Sequence, residues 1–77
     1  MARKKSPTQG EIVKANIRYY QQLYDLEDQS IFTAAHVAQA TWYRRLKQPE
    51  TFSIAELLGI AKALNTDLVS LLKPKEA

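Results

Sequence analysis

At 77 residues, with 45% hydrophobic and 25% charged residues, the chain has the composition of one small folded domain with a thin core. The absence of cysteine and the single histidine, His36, exclude a disulfide framework, thiol chemistry and the usual zinc ligand sets. No apolar run approaches the roughly 20 residues of a membrane span, and the N-terminus has no signal-peptide core, so a cytoplasmic location is expected. A net charge of +3 at pH 7 favours an anionic partner.

The charges are clustered. Arg3, Lys4 and Lys5 form one basic group, Arg44, Arg45 and Lys47 a second, and Asp25, Glu27 and Asp28 an acidic patch between them. Residues 1–7 lack apolar periodicity and read as a basic, flexible N-terminal arm. Such an arm can track phosphates or enter a minor groove; a tail that only aids solubility is equally consistent. Thr8-Gln9-Gly10-Glu11 matches a capping box and predicts a helix to about Asp25. Val13, Ile17, Tyr20 and Tyr24 make one apolar line along it, widened by Ile12, Tyr19 and Leu23.

Glu27-Asp28-Gln29 opens a second helix, to about Ala35, its acids suited to the positive helix end. Ile31 and Phe32 supply bulk, and Ala34 and Ala35 permit close approach of a neighbour. His36-Val37-Ala38 forms a turn. A third helix follows over about 38–47. Successive residues rotate by about 100°, so Trp42 and Leu46 share a face that can reach a core. Ala40, Arg44 and Lys47 fall opposite, Gln39 projects from the first turn, and Arg45 points sideways, where its stem can cover Trp42. No acidic residue stands between His36 and Pro49. A helix anchored by tryptophan and presenting Gln, Thr and Arg suits the DNA major groove. A core helix with a solvated basic face would carry the same pattern.

Gln48 to Phe52 reads as a loop broken by Pro49. Ser53 and Glu56 form a second capping box, with Phe52 and Leu57 as its hydrophobic staple. The fourth helix is expected to bury Ile54, Leu57, Leu58, Ala61 and Leu64, leaving Gly59 and Ala63 on its outer side, open to another helix. Asn65 suits a left-handed helix end. Thr66 or Asp67 caps a last helix, Leu68 to Leu72, closed by Pro74. The folded domain thus spans residues 8–73, with a tail over 74–77. No strand pattern, repeat or glycine-rich phosphate loop is present. Nor is there a nucleophile–base pair, metal set or paired carboxylates, which argues against an enzyme and against a cofactor or small-molecule ligand.

Five short helices with a tight turn between the second and third make an all-α chain that resembles the lambda-repressor-like helix-turn-helix domains of Cro/C1 or XRE type, over about residues 12–72. Val37-Ala38-Gln39-Ala40-Thr41-Trp42 is similar to the family's V-S-x-x-T followed by an apolar residue. Ser53 to Asn65 resembles S-x-x-x-L-x-x-I/L-A-x-A-L-G/N, and Asp67 to Leu72 resembles its closing helix. Thr41 to Lys47 with Pro49 looks like a variant of small phage-type members. The chain departs from the pattern at three places. His36 stands where the family usually has a turn glycine, Phe32 replaces a small alanine, and the usual glutamine near the second helix's start falls on Asp28 or, one residue on, Gln29.

The resemblance implies Gln39, Ala40 and Arg44 as base-reading residues, since Gln suits adenine, Arg suits guanine and Ala can touch a thymine methyl. It implies Gln29, Thr41, Tyr43 and Lys47 as backbone contacts that set register, to which the arm's Arg3, Lys4 and Lys5 would add. The implied function is sequence-specific binding of double-stranded DNA by a transcriptional regulator. A repressor of phage or mobile-element type is expected, acting as a homodimer on a palindromic operator without membrane involvement. An antitoxin-like or antirepressor-like protein-interaction module on the same fold is the alternative.

Overall fold

A computed structural model describes residues 8–74, and this span is built from α-helices and one short 3-10 helix. The arm of residues 1–7, with Arg3, Lys4 and Lys5, and the tail beyond Pro74 lie outside the described residues. The helices are α1 (Gln9–Tyr24), α2 (Asp28–Ala34), α3 (Gln39–Lys47), α4 (Ile54–Ala63) and α5 (Leu68–Leu72), with the 3-10 helix Pro49–Thr51 between α3 and α4. None of them is long and apolar enough to cross a membrane.

Both capping boxes form. Thr8 Oγ1 accepts from the Glu11 N–H at 3.1 Å, and Glu11 Oε1 accepts from the Thr8 N–H at 2.8 Å. Ser53 Oγ and Glu56 Oε1 exchange the same pair at 3.1 and 2.9 Å. Asp67 caps α5 by accepting from the Ser70 N–H at 2.8 Å. The helix ends also share one device. Asp25, His36 and Asn65 take left-handed backbone, with φ of 57°, 60° and 58°. After α2 the Val37 N–H donates to the Phe32 carbonyl at 2.8 Å and the His36 N–H to Thr33 at 3.2 Å. This is the double bond pattern of a Schellman end, usually built on glycine. His36 therefore makes the turn between α2 and α3 at a steric cost of about 1–2 kcal/mol.

Trp42, Ile17, Ile31, Ile60, Leu64 and Leu71 are fully buried. The Trp42 ring meets Phe32 of α2 at 6.2 Å and Phe52 at 6.1 Å between centroids. The expected core needs three corrections. On α1, Tyr19, Leu23 and Tyr24 are exposed, while Asn16 and Gln21 point inward. For Asn16 the reason is α5, whose last carbonyls need donors; Gln21 instead bonds Arg18 and Asp28. Asn16 Nδ2 donates to the carbonyls of Leu71 and Lys73, both at 2.7 Å, and Gln9 Nε2 to that of Leu72 at 2.8 Å.

On α4, Ile54 and Leu58 are 59% and 47% exposed, and Ile60 is buried in their place. The buried line runs through Leu57, Ile60, Ala61 and Leu64, and Leu58 lies about 110° from its centre. Gly59 is not on an outer side. A Cβ there would stand 3.2 Å from the Ala35 Cβ, so the glycine admits α2 against α4 within the domain. Gly10 plays a similar part. A Cβ there would lie 2.6 Å from the Glu50 side chain, and Glu50 Oε2 accepts a 2.6 Å hydrogen bond from the Thr8 hydroxyl. The segment expected as a plain loop is therefore a 3-10 helix docked on the start of α1.

Candidate nucleic-acid interface

Burial of Trp42 and Leu46 fixes the roll of α3. The opposite face carries Ala40, Arg44 and Lys47, all exposed, and Gln39 is exposed at the first helical position. No hydrogen bond or ion pair to a described residue holds Arg44 or Lys47, so both side chains are free to meet a ligand. Their charges also sit in the last turn of α3, where the helix dipole favours cations.

Arg45 has a different place. Its Nε lies 3.3 Å from Glu56 Oε1 and its Nη2 3.5 Å from Oε2. The Nε contact is a close ion pair but not an aligned hydrogen bond. Since Glu56 also closes the Ser53 capping box, Arg45 ties α3 to the first turn of α4. Thr41 is half-buried on the same flank, at a groove of about 350 Å³ shared with His36 and Glu56.

Tyr43 occupies the other flank, its ring set edge-on to Phe32 at 6.3 Å. Its hydroxyl pKa is raised, first by partial desolvation and then by the charge and hydrogen-bonding of Asp28. Gln29 is exposed beside Asp28 in the first turn of α2. The structure thus gathers Gln39, Ala40, Arg44 and Lys47 on one face of α3, sets Tyr43 and Thr41 on opposite edges of it, and leaves Gln29 exposed on α2.

The sequence reading missed the polar hub beneath Tyr43. Asp28 Oδ1 accepts from Arg18 Nη1 at 2.7 Å and from Gln21 Nε2. Arg18 Nη1 also donates to Gln21 Oε1 at 2.6 Å. Burial pushes the Asp28 pKa up, but the hydrogen bonds from Gln21 and Arg18, with the Arg18 charge, hold it below the usual carboxylate value. The Trp42 indole N–H is buried near the same carboxylate and favours its ionised form, without reaching hydrogen-bond geometry. One signal for this hub was present. Gln21 falls four residues after Ile17, which is four after Val13, so a polar residue interrupts the apolar line.

No protein-family model, curated protein or solved structure matches the chain. The functional reading therefore rests on the face of α3 and on the residues that hold it.

Proposed function

We propose that the protein is a sequence-specific regulator that binds double-stranded DNA, with α2, the His36 turn and α3 acting as a helix-turn-helix of the lambda-repressor-like kind. The observation that carries this reading is the acid-free face of α3, where Ala40, Arg44 and Lys47 are exposed directly behind a fully buried Trp42. A helix so anchored can enter a major groove without disturbing its core. In this reading Gln39, Ala40 and Arg44 contact base edges, while Gln29, Thr41, Tyr43 and Lys47 contact the backbone. The protein works as a cytoplasmic homodimer on a palindromic site, because one such domain covers about one half-site. Repression at a phage-type or mobile-element operator is the expected outcome, and no catalysis or cofactor is involved.

Selection of bound sites from a random duplex library tests this. A palindromic consensus, bound with strong salt dependence, supports the reading. The second reading, a protein-interaction module, draws on the exposure of Ile54, Leu58 and Val69. It predicts no enriched consensus and no salt-dependent duplex binding.

A further inference from the structure

Arg18, on α1, reaches across to Asp28 in the first turn of α2. Its hydrogen bonds to Asp28 and Gln21 both leave from Nη1. The side chain nevertheless remains 46% exposed, and neither Nη2 nor Nε bonds a described residue. The guanidinium is thus held by one corner and open along its other edge. A tether of this kind removes rotamer freedom before a ligand arrives, so less entropy is lost when further donors engage. Asp28 lies one turn before Phe32 on α2, and the Tyr43 ring meets Phe32 edge-on at 6.3 Å. The Asp28–Arg18 pair therefore lies on the flank of α3 that carries Tyr43.

We propose that Arg18 is a phosphodiester-binding residue, oriented by Asp28 and Gln21 so that its open edge meets the duplex backbone beside Tyr43. The inference rests on the DNA-binding reading and adds to it a contact from α1, outside the two helices that reading uses. Arg18 then shares the anchoring role on this flank with Tyr43. A planar fork suits the task, because planar donors match phosphate oxygens in pairs.

The test measures duplex affinity across a salt series for the wild type, Arg18→Ala, Arg18→Gln and Asp28→Asn, on the selected site and on a scrambled duplex. Thermal unfolding of each variant sets a temperature at which all are folded. Arg18→Gln keeps an amide donor for Asp28 while removing the charge, so it guards against loss of the fold. Both Arg18 variants are expected to weaken the two duplexes alike and to lower the salt slope by about 1. Between 50 and 200 mM salt, the wild type should then lose roughly three- to fourfold more affinity than either variant. Asp28→Asn should keep the full slope, because Arg18 retains its charge. An unchanged slope in folded Arg18→Gln, with the wild type binding duplex normally, overturns this proposal alone and leaves Arg18 a structural tether. A wild type without salt-dependent duplex binding overturns both this proposal and the DNA-binding reading.

Discussion

The Asn16 side chain, buried in α1, donates to the Leu71 carbonyl at 2.7 Å across 55 residues of sequence. The same amide reaches Lys73 and Ser70. α5 is a single short turn of five residues, too short to be stable alone. Its place is held by burial of Leu71 and by these donors from α1. Asn16→Ala removes the donors and leaves the buried Leu71 carbonyl without its side-chain partner. Such a change costs about 1–3 kcal/mol. Urea unfolding should show that loss, and hydrogen exchange at the α5 amides should accelerate more than at α3. Uniform acceleration throughout would mean that α5 does not depend on Asn16.

Gly59 and Ala35 set the distance between α4 and α2. The atoms nearest a Cβ at Gly59 are the Ala35 Cβ, Cα and carbonyl oxygen, at 3.2 to 3.3 Å. Two of these are backbone, and Ala35 leads directly into the left-handed His36 turn. Helix propensity would favour alanine by about 1 kcal/mol, while overpacking a close contact costs about 1–3 kcal/mol. The strain should win by about 1 kcal/mol, so Gly59→Ala should lower Tm by about 4–8 °C. A raised Tm would show that α2 can shift outward freely.

How legible was this architecture? The capping boxes were readable because both halves of each lie within four residues. Asn65 was readable because asparagine tolerates left-handed backbone after a helical run. The roll of α3 was readable because Trp42 and Leu46 are four apart and nothing else on the helix is bulky and apolar except Tyr43. Asn16, Gln21 and Arg18 were not, because their roles depend on Leu71 and Asp28, whose arrival at α1 is a matter of tertiary packing. Ile54 and Leu58 were misplaced for a related reason. On a helix of ten residues, rich in apolar side chains, periodicity admits more than one buried line, and only contact with α2 and α5 selects it. Gly59 offered a close approach to any helix, and the sequence did not say that the helix was α2.

Acid should probe the Asp28 hub. Its folded pKa lies below the ordinary value, because hydrogen bonds from Gln21 and Arg18 and the Arg18 charge outweigh burial. A depressed carboxylate pKa means that the unfolded chain binds the proton more readily. The stabilisation is therefore complete above the unfolded pKa of about 3.9 and is lost as pH falls through the lower folded value. Asp28→Asn should flatten the fall in stability below about pH 4, measured by urea unfolding at a series of pH values, while lowering stability at neutral pH. An acid limb identical to wild type would show that Asp28 is not the group that titrates there.

Arg44 and Lys47 allow reading to be separated from holding. Both are exposed on the face of α3 opposite Trp42, and neither is held by an acid among the described residues. Arg44 lies one turn beyond Ala40, and its planar fork matches guanine O6 and N7. Lys47 follows nearly one further turn, at the C-terminal end of the helix, and offers a flexible point charge suited to a phosphate. Arg44→Ala should lose about 1–3 kcal/mol on the preferred site and relax the consensus at one position. Lys47→Ala should weaken all duplexes about equally and lower the salt slope by about 1. Tm should stay near wild type in both, since neither side chain enters the core. The protein-interaction reading expects no change in duplex binding from either substitution. The decisive measurement titrates both variants with a preferred and a scrambled duplex at two salt concentrations. Equal weakening of both duplexes by Arg44→Ala would reduce the α3 face to a general electrostatic surface, with the base-reading residues elsewhere.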